Sequence, residues 1–304
     1  MTVYVAHDVK AAIEAAIEAD QGATYRMWLG RVIPHMGDAY NAENHPFRSH
    51  MGASMIGKEC GRAIWYSWNW VTRPKFSGRM LRLFNRGHLE EARFIAQLLT
   101  IGVKVWQQDA NGKQYRISDA GGHFGGSGDG IAACLPGINA DQQVLLEFKT
   151  HSEKSFKDLV ANGVRESKPE HFFQMQTYMH KMGLCLALYG AVNKNNDETY
   201  WEWVVLEPET GEQLIDRAVK LVGFDGVPPR MSESPGAWKC KMCDHRPVCH
   251  LGAAPDVNCR TCAYSRPGTD GTGLWYCHQG MTPEPLKDEI KYNGCNHYTK
   301  RASL

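Results

Sequence analysis

Residues 144–151 read VLLEFKTH, and this run constrains the fold more than any other in the chain. In a strand its side chains alternate, so Val144, Leu146 and Phe148 share one face while Leu145, Glu147 and Lys149 share the other. A wholly apolar face has to pack on a core, which makes the run a strand from the middle of a sheet. A carboxylate and an ammonium in such a strand are costly to desolvate unless they are paired or serve a ligand. Either Glu147 and Lys149 form a structural ion pair on a solvated sheet face, or the strand carries a charged site.

Other polar residues converge on the same place. Asp129 lies in GGSGDGIAA, where a glycine-rich approach leaves room for a ligand close to the backbone. If this strand pairs with 144–149 through the turn at PGINADQ, Asp129 faces Glu147 across the ladder. Two carboxylates that close repel, unless a hard divalent cation sits between them. In MLRLFNRGHLEEARFIAQLLTIG a helical pattern puts Glu91, Ile95 and Leu98 on one face with Phe94 alongside, which turns Glu91 inward. The helical stretch 169–183 sets Gln174 and Tyr178 one turn apart on a single face. Each also has an ordinary reading, Tyr178 as core and Gln174 as a capped surface residue.

The surrounding pattern predicts a mixed α/β sheet with helical cover. A helix over 8–19 opens with an Asp8 cap and buries Val9, Ile13 and Ile17; PHMGDAYNAENHPFRSH reads as loop. A second helix starts near Ser54, carries Cys60 and IWYSWNW, and stops before Pro74. Strands are expected at VKVWQQ, KQYRIS, HFGGSGDGIAACL, QVLLEFKT, LCLALYGAVN and TYWEWVVLE, with a further helix over 207–222. The 34 basic and 33 acidic residues nearly cancel, so a site for a polyanion has to be local. Apolar stretches are short and interrupted by charge, and the first twenty or so residues lack a signal-peptide pattern, so no membrane span and a cytoplasmic location are expected.

Eight of the ten cysteines fall into two sets, Cys134 and Cys185 being expected as isolated small buried hydrophobes in strand-like runs. In a reducing cytosol C-x-x-C spacing favours metal over disulfide. Cys240, Cys243 and Cys249 supply three ligands from CKMCDHRPVC; the fourth is either Cys60, or His245 or His250 with zinc as the metal. Cys259, Cys262, Cys277 and Cys295 form the second set, which His278 or His297 could join in place of a cysteine. A tail of about fifty residues with few aliphatics buries little core, so a structural zinc would contribute its folding energy in a zinc-ribbon-like module. Arg260, Arg266, Lys287, Lys291, Lys300 and Arg301 are expected on its surface, either touching nucleic acid or only solubilising it.

RGHLEE, GSGDG, LEFKT and QMQTY, in that order and spacing, resemble the PD-(D/E)XK (restriction-endonuclease-like) nucleases over roughly residues 50–250. The branch is that of the RecB nuclease domain, lambda exonuclease and phage recombination exonucleases. The resemblance implies a mixed sheet flanked by helices. It implies Mg²⁺ or Mn²⁺ on Asp129 and Glu147 with Glu91 associated, the last following Gly87 by four residues. Lys149 would be the catalytic lysine, and Gln174 and Tyr178 would hold DNA near the metals. The cysteine order resembles a subgroup that includes the CRISPR-associated adaptation exonucleases and the AddB subunit, implying a [4Fe-4S] cluster on Cys60, Cys240, Cys243 and Cys249 that staples the ends of the domain.

The implied activity is metal-dependent exonucleolytic hydrolysis of DNA phosphodiesters at single-stranded or duplex ends, in phage or mobile-element recombination, beside a single-strand annealing or recombination partner protein. For a phage-encoded chain the location would be the bacterial host cytosol. The expected layout is an N-terminal helical extension over 1–45, a RecB-like nuclease domain with its Fe-S staple over 46–252 and a zinc-binding module over 253–304. No G-x-x-x-x-G-K-[ST] motor signature is present, so no built-in helicase is expected. The competing readings are a non-catalytic nucleic-acid- or protein-binding adaptor on the same fold, and a structure-specific endonuclease or nickase.

Overall fold

The computed structural model describes residues 2–42 and 47–304. The expected boundary at 45/46 lies outside the described residues. The chain divides into two compact units, one built from 1–43, 76–117 and 127–212 and the other from 44–75, 118–126 and 213–304.

The first unit is a mixed sheet flanked by helices. Its strands are β1 (Tyr4–Val5), β2 (Lys104–Trp106), β3 (Gly130–Ala133), β4 (Val144–His151), β5 (Leu186–Asn193) and β6 (Thr199–Val205), in the order β1-β6-β5-β4-β3-β2. All neighbours are antiparallel except β4 and β5. A parallel pair needs a crossover. Here it is made of two helices, α4 (Glu153–Ser167) and α5 (Pro169–Met182), of which the sequence pattern revealed only α5. α1 (His7–Ala19), α2 (Ala23–Val32) and α3 (Gly78–Thr100) complete the unit.

Local chemistry explains several boundaries. Asp8 does not cap α1, because the helix already begins at His7 and Asp8 lies within its first turn, where an acidic side chain favours the helix dipole. α2 went unread in the sequence although its opening has an acceptor: the Asp20 carboxylate accepts from the Ala23 and Thr24 N–H groups at 2.9 and 2.8 Å. Ser77 Oγ accepts from Met80 N–H and starts α3. The segment read as loop after residue 33 contains a helical turn at Gly37–Tyr40.

The apolar face of β4 behaves as its alternation requires. Val144, Leu146 and Phe148 are buried with Val9, Ile13, Phe94, Ile95 and Leu98. Phe94 stacks on Phe148 with centroids 4.8 Å apart and meets the edge of Trp201 at 5.4 Å. Each such side chain contributes about 1.5–3 kcal/mol through burial. Gly190 in β5 is required by this packing, since a Cβ there would lie 2.8 Å from the Trp201 ring and 3.0 Å from Phe148. The opposite face of the sheet, with Leu145, Glu147 and Tyr189, is buried as well, and α5 contributes Met175, Tyr178 and Met179 to the interior.

In the second unit the helix expected from Ser54 is broken into Ala53–Ile56 and Gly61–Trp68, and Cys60 stands at the N-cap of the latter. Met51–Gly52 pairs in parallel with Phe124 and Gly125. The single strand expected over HFGGSGDGIAACL is in fact two, Phe124–Ser127 and Gly130–Ala133, with Asp129 in the bend between them. A helix spans Pro208–Val222, as expected from the pattern. Ser265–Pro267, Trp275–Cys277 and Glu284–Pro285 form a three-stranded antiparallel sheet. Arg260, expected at the surface, is 4% exposed. Its guanidinium lies 3.9 Å from the Trp70 ring centroid and 4.8 Å from that of Trp275, and it donates to Trp68 O and Ser49 O at 2.7 and 2.5 Å. It is a structural cation, stabilised by aromatic faces and backbone carbonyls. Among the described residues, no helix is long and apolar enough to cross a membrane.

Candidate active site

The ladder between β3 and β4 pairs Gly130 with Leu146 and Ile131 with Leu145, and the same register carried one residue on sets Asp129 opposite Glu147. The bend that presents Asp129 depends on Gly130, whose φ is +155° and whose Cβ, were there one, would sit 3.0 Å from Trp106 O. Asp129 Oδ2 accepts the Phe148 N–H at 2.7 Å. Glu147 is fully buried; its Oε1 is paired with Lys149 Nζ and its Oε2 accepts from Gln174 Nε2 at 3.2 Å. Lys149 also donates to Phe148 O at 3.2 Å. Tyr178, one turn beyond Gln174, is buried. Gln174 and Tyr178 therefore back the carboxylate from within the fold.

Of the two adjacent glutamates, Glu90 is engaged by Arg93 at 3.2 Å, while Glu91 lies in the field of Asp129 and Lys149. Burial, followed by Asp129, Asp38 and Glu147, pushes Glu91 up to about 9 against the opposing pull of Lys149. Burial, followed by Asp129, pushes Glu147 up to about 7 although Lys149 works against it. Burial also raises Asp129. For Lys149 burial opposes the ammonium, but Glu147, Asp129 and Glu91 outweigh it and raise its pKa. Three carboxylates thus share one ammonium. Oxygen donors short of positive charge are of the chemical kind that a hard divalent cation takes. Among the described residues no group of three or more His, Cys, Asp or Glu side chains is arranged so as to hold a metal ion. Here Lys149, Phe148 and Gln174 occupy the carboxylate oxygens of Asp129 and Glu147 instead.

Glu91 and Lys149 line a cleft of about 590 Å³ together with Glu90, His88, His151, Lys168, His171 and Lys194. The first half of α3 runs along it. Phe84 lines the cleft and is 40% exposed, its ring edge-to-face with exposed Phe76 at 5.0 Å. Arg79, Arg82 and Arg86 are exposed on the same half-helix, and Arg86 donates to Lys194 O at 3.2 Å. Sequence reading missed these residues, together with His151 and His171. The signals were there: His151 shares the face of Glu147 and Lys149, and His171 stands three residues before Gln174.

The eight cysteines of the two sets lie in the second unit, while Cys134 and Cys185, expected to be buried, lie in the first and are half-buried and exposed respectively, since neither is drawn into its core. Burial raises the Cys243 thiol, and the neighbouring Cys60, Asp244 and Cys249 add to it. Cys240 is buried, its carbonyl accepting from Cys243 N–H at 3.2 Å, and Arg62 Nη1 approaches Cys249 Sγ at 3.8 Å. Arg217 holds the chain ahead of Cys60 by donating to Ile56 O, Lys58 O and Glu59 O. His245 is buried against Ser67 Oγ at 2.8 Å and the Tyr66 ring, which engages it in packing. In the other set, burial and then Cys295, Cys262 and Cys277 push Cys259 up to about 11. All four of these cysteines line one pocket with His297, whereas His278 does not.

No family model matches the sequence, and no curated protein matches it. Among solved structures the chain is similar to an alkaline exonuclease (LHK-Exo) from Laribacter hongkongensis, 14% identical, covering 65% of this chain and 90% of that one with a TM-score of 0.41. LHK-Exo in complex with dAMP is 15% identical, covering 57% and 86%, at 0.39. SSO0001 is 14% identical, covering 75% and 97%, at 0.37. Likenesses of this degree leave the activity to be argued from the side chains.

Proposed function

We propose that this chain is a divalent-metal-dependent DNA exonuclease that hydrolyses phosphodiester bonds. The observation that carries the reading is the gathering of Glu91, Asp129 and Glu147 around the single ammonium of Lys149, with Glu91 and Lys149 in the wall of a cleft that also bears Lys168 and Lys194. Asp129 and Glu147, with Glu91, would hold Mg²⁺ or Mn²⁺, which supplies Lewis acidity and a bound water of lowered pKa. Lys149, freed from Glu147, neutralises negative charge developing on the phosphate. Gln174 fixes one oxygen of Glu147, and buried Tyr178 restricts the site from behind. Arg79, Arg82 and Arg86 take backbone phosphates, while Phe76 and Phe84 offer faces on which bases of an unpaired end stack.

The same reading gives the cysteines structural roles. Cys60, Cys240, Cys243 and Cys249 would hold a [4Fe-4S] cluster, and Cys259, Cys262, Cys277 and Cys295 a zinc ion; thiols that raise one another's pKa favour the deprotonated, metal-bound state only when a cation is present. The proposed setting is phage or mobile-element recombination in a bacterial cytosol, beside an annealing or recombination partner. The proposed layout is a nuclease region to residue 252 followed by a zinc module over 253–304.

The test is incubation of the purified protein with end-labelled linear DNA and with circular DNA, each with Mn²⁺, Mg²⁺ or EDTA. Metal-dependent release of end label, abolished in Asp129→Asn and Lys149→Ala variants that keep the wild-type circular dichroism, is the expected result. Cutting of circles would make it an endonuclease instead. Binding without any cleavage would leave the adaptor reading standing, and full activity in either variant would refute the assignment of these residues.

A further inference from the structure

Behind the cleft wall four side chains form an unbroken hydrogen-bonded row that the proposed reaction has not yet used. Tyr189 is 0% exposed, and its hydroxyl lies 2.9 Å from His151 Nε2 and 2.9 Å from His171 Nδ1. His151 Nδ1 in turn lies 3.1 Å from Ser155 Oγ. Ser155, His151 and His171 all line the same cleft as Lys149 and Glu91, so the row begins and ends there while its middle is dry. His171 Nε2 is the one ring nitrogen of the pair without a protein partner among the described residues.

The polarity of this row is restricted. Tyr189 owns a single proton placed between two imidazole nitrogens, so it donates to one and accepts from the other. With Tyr189 donating to His171 Nδ1, His171 carries its proton on Nε2, facing the cleft, and His151 donates from Nε2 to Tyr189. Reversing every bond moves the cleft-facing proton from His171 to the Ser155 end. Both imidazoles are held neutral, as such a row needs. Burial, then Lys168, Lys149 and Lys194, lowers His151; burial, then Lys149, His151 and Lys168, lowers His171.

We propose that Ser155, His151, Tyr189 and His171 are a proton relay that protonates the departing sugar oxygen from His171 Nε2, an assignment that rests on the nuclease reading. An activated water needs no further base, but an alkoxide leaving group is strongly basic and needs a proton. As the water oxygen bonds to phosphorus, the phosphorus–sugar oxygen bond breaks and its electron pair stays on the sugar oxygen, which takes the His171 Nε2 proton. His171 Nδ1 takes the Tyr189 proton, Tyr189 that of His151 Nε2, and His151 Nδ1 that of Ser155. Ser155 recovers a proton from cleft water, balancing the one released by the attacking water. No side chain is left charged. His171 is the catalytic residue here; Tyr189, His151 and Ser155 are positioning residues.

The test compares two oligonucleotides under single turnover with saturating Mn²⁺: one with ordinary bridging oxygens and one whose departing atom is sulfur, prepared in both strand polarities. A thiolate departs without a proton. His171→Asn keeps a partner for Tyr189 but lacks Nε2, and Tyr189→Phe interrupts the row. Both should slow the oxygen substrate by about 10²–10⁴-fold and cut the sulfur substrate within a few-fold of wild type. Ser155→Ala, remote from the packed core, provides a third variant should Tyr189→Phe fold poorly, with the same selective loss. Equal losses on both substrates, or no loss on oxygen, would overturn the relay while leaving the nuclease reading intact. A wild-type protein that cuts neither substrate would overturn both.

Discussion

Neutralising Glu91 should stabilise the metal-free protein while destroying its function. The Glu91 carboxyl sits at about 9 in the fold because of burial and the neighbouring Asp129, Asp38 and Glu147. In the unfolded chain it would ionise near the ordinary value of roughly 4.3. A folded pKa above the unfolded one stabilises fully below the unfolded value, and that contribution is lost as pH rises through the window up to about 9. By pH 7 the distance of about 2.7 pH units from the unfolded value is worth about 3.7 kcal/mol at most. Partial exposure to the cleft and the shared proton among three carboxylates reduce this to about 1–2 kcal/mol. Urea unfolding in EDTA should therefore show Glu91→Gln above wild type by about 1–2 kcal/mol at pH 7, with the gap closing near pH 4. Saturating Mg²⁺ or Mn²⁺ should reverse the order, because only wild type keeps the full oxygen set and gains from ligand linkage. A variant less stable than wild type in EDTA at pH 7, or a gap that ignores pH, would refute the account of strained charge.

The histidine pair carries the opposite dependence. His151 is held at about 4 and His171 at about 2, chiefly by burial, so their contribution is present above the ordinary value of roughly 6.5 and is lost as pH falls through it. In denaturant titrations wild type should lose its margin over His171→Asn between pH 7 and 5; a constant margin would mean that His171 is not buried neutral. Replacing Arg82 and Arg86 with Ala should weaken single-stranded DNA binding and flatten its dependence on salt by up to roughly 0.7 per lost phosphate contact, read by fluorescence anisotropy in EDTA; unchanged slopes would separate this half of α3 from the substrate path. Cys259→Ser should remove one equivalent of zinc, measured by elemental analysis, and lower the thermal midpoint, whereas Cys134→Ser should leave the metal content unchanged. Zinc retained in the first variant would exclude Cys259 as a ligand.

The alternation in 144–151 was enough to foresee which side chains of β4 join Phe94 and Ile95, because period two is a local property of extended backbone. The 3.6-residue pattern in the same way located α3 and α5. It missed α4, whose apolar spacing was hidden by the charged run EKSFKD and whose necessity becomes visible only once β4 and β5 are known to be parallel. Arg260 was misplaced because composition marks arginine as a surface residue, while two tryptophan faces and two carbonyls remote in sequence make it an interior one.

By itself the sequence determined that acidic and basic side chains would be carried on elements with one apolar face. Which of them meet was decided only by tertiary structure. The register that sets Asp129 against Glu147, the docking of α3 that brings Glu91 into the field of Asp129 and Lys149, and the placing of Tyr189 between His151 and His171 all depend on elements that meet only in the folded chain. Local periodicity fixes a residue's face, but not its height along a neighbouring strand. That height follows from how both faces of the sheet pack at once, so it has no signature within any short window of residues.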